Sequence, residues 1–198
     1  MRLLIMGPPG AGKGTQASLL AAREHIPAIS TGDIFRAMRT ADTGLARRIR
    51  DIMAAGGYVT DEITNAIVAE RLAQPDCRTG FLLDGYPRTL DQVHTLDALL
   101  DDAGASLDAV VALHVDIDEL VTRLLQRAEA SGRTDDDEPT IRIRQQTFHD
   151  QTAPLLAIYR ERGLLVKVDG LGRVDEVTAR LAAALERHLS HRTAAAPR

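Results

Sequence analysis

The chain has 198 residues, of which 44% are hydrophobic and 26% are charged, so it can form a globular domain with a sizeable core. Its formal net charge of −4 excludes the overall basic field that attracts proteins to nucleic acids or anionic membranes, and any polyanion must bind at a local cluster of positive groups. The single cysteine excludes an intrachain disulfide and a cysteine-cluster zinc site. Because neither a membrane span nor a signal-peptide pattern is present, we expect a cytoplasmic protein.

The first predicted elements are a short strand that ends at Met6 and a helix over 13–24, joined by a glycine-rich loop. The loop has the spacing Gly7-x4-Gly12-Lys13, which is the pattern of phosphate-binding loops. Glycines suit such a loop because backbone N–H groups approach phosphate oxygens where no Cβ intervenes. The N-terminus of the following helix favours the same anion, and Lys13 adds a mobile positive charge. The sequence therefore predicts a nucleotide phosphate site at the end of the first strand.

The rest of the chain alternates between short apolar runs and helical patterns. Further strands are predicted from continuous apolar residues at 28–30, 81–85, 109–115 and 164–168. Helices are predicted around 35–38, after capping groups at 31–33, and at 44–55, 59–72, 89–103, 117–128, 137–162 and 174–188. This alternation predicts an α/β fold with a central parallel sheet flanked by helices. Residues 188–198 are expected to form a frayed tail.

Two segments interrupt this alternation, and we expect both beside the carboxyl ends of the strands, where ligands bind in parallel sheets. Residues 30–59 place two helices between strands, and residues 128–140 form a polar loop. The acidic run 135–138 lies next to Arg133 in that loop and offers either a metal site or partners for arginines. We favour the pairing, with Asp135 or Asp136 orienting the arginines, because adjacent carboxylates without further ligands usually cap helices or pair with cations.

A carboxylate at the end of an apolar strand, Asp84, has two interpretations. It can organise Mg²⁺ through water, because Mg²⁺ keeps several waters and uses few protein carboxylates. The alternative is a structural helix cap or salt bridge. We favour the magnesium interpretation because the hydroxyl that usually follows the loop lysine is absent: Gly14 stands there, and Thr15 supplies a hydroxyl one residue later.

Arginines near the strand ends and in the interrupting segments carry the candidate phosphate contacts, because the planar guanidinium grips phosphate oxygens in pairs. Arg88 and Gln92 are predicted to share a helix face, and so are Arg123 and Arg127. Other arginines are assigned to solvated surface: Arg2, Arg23, Arg47, Arg48, Arg50 and Arg142. His114 is predicted to be a core residue of its strand.

The motifs together resemble the adenylate kinase family, in its short-lid form, over nearly the whole chain. The matching strings are GPPGAGKGTQA at 7–17, ISTGD at 29–33, GGYVTDE at 56–62, GFLLDGYPRT at 80–89, RLLQR at 123–127, SGRTDD at 131–136, TAPL at 152–155 and VDG at 168–170. The resemblance implies a P-loop kinase core over 1–29, 60–122 and 141–198. It also implies a helical AMP-binding subdomain over 30–59 and a short lid over 123–140. In this family the loop lysine is followed by Gly-Thr, as in GKGT at 12–15, which accounts for the glycine at position 14.

The resemblance also implies which residues bind the substrates. ATP would be held by Gly10, Ala11, Gly12, Lys13, Gly14, Thr15, Arg123, Arg127 and Gly172. AMP would be held by Thr31, by Arg36, by the backbone of Gly57, Tyr58 and Val59, and by Gly85, Tyr86, Pro87, Arg88, Gln92, Arg133 and Arg144. The catalytic set would be Lys13, Arg88, Arg127, Arg133 and Arg144. Asp84 would hold Mg²⁺ through water, and no zinc is expected because the chain has neither the long lid nor its cysteines.

The implied reaction is reversible phosphoryl transfer from Mg-ATP to AMP, giving two ADP. It fits these residues, because phosphoryl transfer needs positioning and charge neutralisation more than acid–base groups. The implied partners are ATP, AMP and ADP, with no nucleic acid and no membrane, and the family expectation is a monomer. An arginine-bearing lid would also exclude water, which competes with AMP for the phosphoryl group.

Two other functions share parts of this pattern. A UMP/CMP kinase has the same loop and arginines, but Thr31 and Gln92 match the adenylate form, where pyrimidine enzymes tend to have Ala and Asn. A nucleotide-switched binding protein would need a hydroxyl after the lysine and a guanine-reading Asn/Thr-Lys-x-Asp string, and the sequence has neither. An inactive paralogue would carry the same motifs, so activity itself requires an assay.

Overall fold

The computed structural model describes residues 1–38, 41–116, 119–120, 123–124 and 138–195. Its strands are β1 (Arg2–Met6), β2 (Ala28–Ser30), β3 (Phe81–Asp84), β4 (Ala109–His114) and β5 (Leu165–Asp169). Its helices are α1 (Lys13–Glu24), α2 (Thr31–Met38), α3 (Gly44–Ala54), α4 (Asp61–Leu72), α5 (Leu90–Asp102), α6 (Glu138–Thr147), α7 (Leu155–Glu161) and α8 (Val174–Ala195). The predicted α/β class is confirmed.

A parallel sheet of five strands in the order β2-β3-β1-β4-β5 lies at the centre. Leu4 of β1 pairs with Leu83 on one side and with Val110 on the other. Near the carboxyl ends, Asp84 of β3 pairs with Ile5 of β1 and with Ser30 of β2. Because the strands are parallel, the loops after β1, β2 and β3 leave the same edge of the sheet and meet there.

Both faces of the sheet are covered, which explains why its strands are continuously apolar rather than alternating. One face packs against α1 and α8 through residues such as Leu20 and Leu181. The other packs against α4, α5 and α7 through residues such as Val68, Leu96 and Tyr159. Helices therefore cover both faces of the sheet, and the loops after β1, β2 and β3 lie at the carboxyl ends of its strands.

Residues 30–59 have a small apolar cluster of their own. Phe35 of α2, Ile49 of α3 and Val59 are buried together, with Met38, Met53, Ile63 and Ile67 packed against them. Two of those partners, Ile63 and Ile67, belong to α4, so the segment is anchored to the rest of the chain through that helix.

One predicted helix, over 137–162, is wrong as a single element. The structure has α6, then one wide π-helical turn over Phe148–Thr152, then α7. Pro154 has no N–H to donate and cannot continue a helical ladder, and the turn is closed by Ala153 N donating to Phe148 O at 2.9 Å. Pro154 is visible in the sequence, but the prediction followed the apolar periodicity, which runs through the break.

Three smaller predictions are also corrected. The tail predicted from residue 188 is helical to Ala195, because α8 keeps an apolar side that packs Leu189 against the sheet cluster. His114 is exposed, because it is the last residue of β4 and lies at the end of the sheet. The capping group of α2 is Ser30, whose Oγ accepts from Asp33 N at 3.2 Å. The helix predicted over 117–128 lies mostly outside the described residues.

Candidate functional site

The loop between β1 and α1 has the conformation that a phosphate-binding loop requires. Gly10 has φ +87°, and a Cβ there would lie 2.9 Å from Leu120 O and 3.0 Å from Leu124 Cγ. Gly12 has φ +86° and precedes the first turn of α1, which has no side-chain cap. The N–H groups of that turn are therefore open to an anion, as the sequence pattern predicted.

Lys13 lies over this loop. Its Nζ donates to Pro8 O at 3.0 Å, and Ala11 N donates to the same carbonyl at 3.2 Å. The ammonium group is half-buried at the mouth of the loop, where a phosphate would meet it. Gln145 of α6 also reaches the loop, because its Nε2 donates to Pro9 O at 2.9 Å.

Asp84 lies beside the start of α1, because β3 and β1 are neighbours in the sheet. Its Oδ2 is 3.6 Å from the position that a Cβ on Gly14 would occupy. Burial raises the pKa of Asp84, and the nearby cations Lys13 and Arg88 only partly offset that shift. Ionising the Asp84 carboxyl therefore costs free energy even with these cations nearby. A further cation bound beside the anion-binding loop would lower that cost.

Arg88 is held at its backbone N and at its Nε. Its backbone N donates to Gln92 Oε1 at 2.7 Å, and its Nε donates to Gly85 O at 2.7 Å. Gly85 has φ +82°, and a Cβ there would lie 2.8 Å from Arg88 Nη2 and 2.8 Å from Thr31 Oγ1. The glycine therefore lets the guanidinium and the Thr31 hydroxyl approach the same backbone segment. The prediction that Arg88 shares a helix face with Gln92 is wrong, because α5 begins at Leu90 and Arg88 lies before it.

Thr31 and Gln92 are both buried, with 1% of each residue exposed. The Thr31 hydroxyl donates to Gly85 O at 3.0 Å, which leaves its oxygen lone pairs as acceptors. The Gln92 amide donates from Nε2 to Asp61 Oδ1 at 2.6 Å and accepts at Oε1 from Arg88 N. Each end of the amide keeps one more hydrogen-bonding position, and the contacts fix which end is donor and which is acceptor.

Thr31, Arg88 and Gln92 line one cleft between the sheet and residues 30–59. Its walls also include Phe35, Met53, the backbone at 56–59, Tyr86–Arg88 and Phe148. Apolar walls with a few oriented polar groups are typical of a site for a flat aromatic ligand. All the residues that the family resemblance assigned to AMP and that the structure describes therefore line this cleft.

A second cleft of about 820 Å³ runs from the glycine loop toward β5. It is lined by the residues Gly10–Thr15, by Arg123 and by Gly172. Arg123 is fixed by Glu119 Oε1, 2.7 Å from its Nε, and by Gly170 O, 3.1 Å from its Nη1. The residues assigned to ATP that the structure describes are thus brought together.

The two clefts share one wall, and that wall is basic. Lys13, Arg36, Arg88 and Arg144 line both clefts. Arg36 also forms an ion pair with Asp33 beside this wall. A group bound in one cleft and a group bound in the other would meet among these cations.

Some predicted site residues lie outside the described residues. They are Arg127, Arg133 and the acidic residues Asp135 and Asp136. Among the described residues, no group of three or more His, Cys, Asp or Glu side chains could hold a metal ion. Within the same ranges, none of the helices is both long and apolar enough to cross a membrane.

Sequence reasoning missed the side chains that support the binding groups. Asp61 bridges Gln92 and Thr89, the latter through Thr89 Oγ1 donating to Asp61 Oδ2 at 2.7 Å. Thr152 and the phenol of Tyr58 contact each other across the cleft at 3.0 Å. Tyr58 and Thr152 lie within the strings that match the family, but such strings do not indicate which side chains contact each other in the fold.

Comparisons with known proteins agree with the geometry. The family model described as adenylate kinase matches residues 5–164. A protein of Nocardioides sp. named adenylate kinase is 58% identical over 94% of this chain and 97% of its own length. Proteins of the same name from Leifsonia xyli and Thermobifida fusca are 56% and 52% identical, over 92% and 94% of this chain and 92% and 98% of their own lengths.

Proposed function

The chain belongs to the adenylate kinase family and transfers a phosphoryl group reversibly from ATP to AMP, giving two ADP; we propose that the basic wall shared by the two clefts is where the transfer takes place. The observation that carries this proposal is that Lys13, Arg88 and Arg144 line both clefts. In-line transfer needs donor and acceptor phosphates to meet end to end among positive groups.

The glycine loop and α1 hold the ATP phosphates, while Arg123 and the backbone at Gly172 lie against the adenine of ATP. Lys13 follows the transferring group as a mobile charge, and Arg88 grips the AMP phosphate in a fixed geometry. Arg144 neutralises charge at the boundary, together with Arg127 and Arg133. Such preorganised cations stabilise the charge of the transition state without a proton-transferring side chain.

AMP binds in the cleft beside residues 30–59, through the AMP-binding residues named in the sequence analysis. The Thr31 hydroxyl accepts from the amino group of adenine, and the Gln92 amide, oriented by Asp61 and Arg88 N, bonds the ring edge. Because a wrong base would leave these buried groups unpaired, they favour adenine over pyrimidines.

Asp84 is the residue that would hold Mg²⁺, through water. A bound ion would supply positive charge to neutralise the phosphates. The fit rests on the carboxylate of Asp84, which lies next to the phosphate loop and whose pKa is raised by burial. Asp84 pairs in register with Ile5, the residue just before the end of β1, so the carboxylate is held by the sheet rather than by a loop.

The domain arrangement proposed for this reaction is a core over 1–29, 60–122 and 141–198, an AMP-binding subdomain over 30–59 and a lid over 123–140. The separate apolar cluster of Phe35, Ile49 and Val59 supports the second of these units. The proposal extends to a cytoplasmic monomer that has neither nucleic acid nor membrane as a partner. The net charge of −4 supports the absence of nucleic-acid and membrane partners. Gel filtration at several protein concentrations tests the monomer.

The test of the proposed function is transfer from Mg-ATP to a panel of AMP, UMP, CMP and GMP. We expect kcat/KM for AMP to exceed that for the other monophosphates by about 10²-fold or more, with two ADP formed per AMP consumed. Preference for a pyrimidine would overturn the assignment of Thr31 and Gln92. Absence of transfer to every acceptor would contradict the proposed reaction.

A further inference from the structure

We propose that the Tyr58 side chain is a positioning residue that orients Arg88 for the phosphate of the acceptor nucleotide. The inference rests on the proposed function for what Arg88 binds, but not for how Arg88 is held. It assigns a role to the phenol of Tyr58, whereas the resemblance implied only a backbone contact at 57–59.

The first observation is the position of the ring. The guanidinium carbon of Arg88 lies 4.6 Å from the centroid of the Tyr58 ring. Both side chains are half-buried in the wall of the cleft between the sheet and residues 30–59. A cation over an aromatic face is attracted by the ring, and partial removal of water strengthens that attraction. The ring therefore supplies a flat support against which the planar guanidinium lies.

The second observation is that the Tyr58 hydroxyl is tied back to Arg88. Thr152 Oγ1 donates to Arg88 O at 2.9 Å, because a carbonyl oxygen can only accept. The Thr152 hydroxyl has one proton, so the 3.0 Å contact between the two hydroxyls is Tyr58 OH donating to Thr152 Oγ1. Tyr58 is thus linked to Arg88 both through the ring and through Thr152.

The remaining contacts of Arg88 show what this arrangement leaves available. Nε donates to Gly85 O and the backbone N donates to Gln92 Oε1. Among the described residues, no hydrogen bond occupies Nη1 or Nη2 of Arg88. The side chain is thus held at its stem and on its face, and Arg88 is one of the residues that line both clefts.

The location of Tyr58 gives this contact a further consequence. Tyr58 lies between α3 and α4, at the end of the segment 30–59, whereas Thr152 lies in the wide turn between α6 and α7. The link between Tyr58, Thr152 and Arg88 therefore joins the proposed AMP-binding segment to the core at the residue that grips the phosphate. A phosphate bound by Arg88 stabilises this junction.

The first experiment observes Arg88 directly in the ligand-free protein. The side-chain Nε–Hε signal of Arg88 is followed by NMR in the wild type, Tyr58→Phe and Tyr58→Leu. We expect a ring-current shift and restricted motion in the wild type, largely preserved in the Phe variant and lost in the Leu variant. Arg162, whose guanidinium carbon lies 5.7 Å from the Tyr159 ring centroid, is the internal control, and its signal should stay unchanged.

The second experiment measures the consequence for the acceptor. Tyr58→Leu should raise the KM for AMP about 3- to 10-fold, with little change in the KM for ATP, and Tyr58→Phe should recover most of that loss. Thr152→Val, which removes the hydroxyl and keeps the shape, should match Tyr58→Phe. In an Arg88→Met background, AMP titration should show no further loss from Tyr58→Leu, because the effect acts through the guanidinium.

The two experiments separate the possible failures. An unchanged Arg88 signal in Tyr58→Leu would overturn the positioning role, whatever the enzyme transfers. A changed signal with no transfer by the wild type would leave the positioning role standing and refute the proposed function. An equal loss of AMP affinity from Tyr58→Leu with and without Arg88 would show that Tyr58 contacts the nucleotide itself, and would also overturn the inference.

Discussion

The charged and polar side chains of this site make hydrogen bonds that orient them. Arg88 is held at its backbone and at Nε, and the Gln92 amide has a set orientation. The Lys13 ammonium donates to Pro8 O of the glycine loop. A lysine is a mobile point charge that suits a moving phosphoryl group, whereas the planar guanidinium of an arginine suits a stationary one.

Lys13→Met should lower kcat by about 10²-fold or more while the free energy of unfolding changes little, because the charge that stabilises the transferring phosphate is lost. Steady-state kinetics and urea unfolding measure the two effects. Lys167→Met, on the exposed part of β5, is the matched control and should have wild-type kcat. Wild-type turnover in Lys13→Met would contradict the role of Lys13.

Asp84→Asn should stabilise the ligand-free protein and impair Mg-dependent turnover. Burial raises the pKa of Asp84 above its ordinary value of 3.8, so the folded state favours the protonated carboxyl. The ionised form therefore lowers stability above the folded pKa, and this cost disappears below the unfolded pKa. The Tm advantage of Asp84→Asn should thus be largest near neutral pH and shrink as the pH falls.

Thermal unfolding from about pH 7 down toward 3.8, the ordinary pKa of an aspartate, measures that trend. Asp101→Asn, on the exposed end of α5, is the control and should not show it. A Tm of Asp84→Asn below that of the wild type at neutral pH would refute the expectation.

Single contacts between elements place the binding groups. Asp61, in the first turn of α4, accepts from Thr89 Oγ1 and from Gln92 Nε2 and so joins α4 to the start of α5. The Thr89 hydroxyl also caps α5 by accepting from Gln92 N at 3.3 Å. The base-reading amide is therefore aligned by the packing of two helices.

Asp61→Ala should lower the free energy of unfolding by about 1–3 kcal/mol, because two hydrogen bonds to a half-buried carboxylate are lost. It should also raise the KM for AMP more than the KM for ATP, because the Gln92 amide loses its orientation. Urea unfolding and steady-state kinetics measure these effects. Glu62→Ala removes the same charge from the same helical turn at an exposed position and should do neither. Equal effects of the two variants would show that helix charge, rather than the bridge, is responsible.

Across the whole molecule, the apolar residues are divided unequally. The two clusters on the faces of the sheet are large, whereas the cluster of Phe35, Ile49 and Val59 is small and lies apart. Segments with few buried apolar contacts open at lower free energy than the core. The proposed AMP-binding segment is therefore expected to be the less stable part of the fold.

Native-state hydrogen exchange should show this difference. We expect amides of β1 and β4 to exchange only through global unfolding, and amides of 30–59 to exchange through a local opening of lower free energy. Saturating AMP should slow exchange in 30–59, because binding stabilises the closed form of that segment. Exchange of 30–59 at the free energy of the sheet would contradict its independence.

The sequence by itself determined the class of fold, the phosphate loop and the family. These follow from local patterns: the glycine spacing with Lys13, continuous apolar strands, and strings that match over most of the chain. Thr31, Arg88 and Gln92 line one cleft, because their strings follow the carboxyl ends of adjacent strands.

Only the tertiary structure decided how the helices end and which side chains support the site. The helical continuation to Ala195 depended on which residues pack against the sheet, and periodicity does not show that. The bridge from Asp61 to Gln92 and the support of Arg88 by Tyr58 and Thr152 join residues far apart in the chain. Such contacts are set by the packing of whole elements, whereas local sequence records only what neighbours along the chain require.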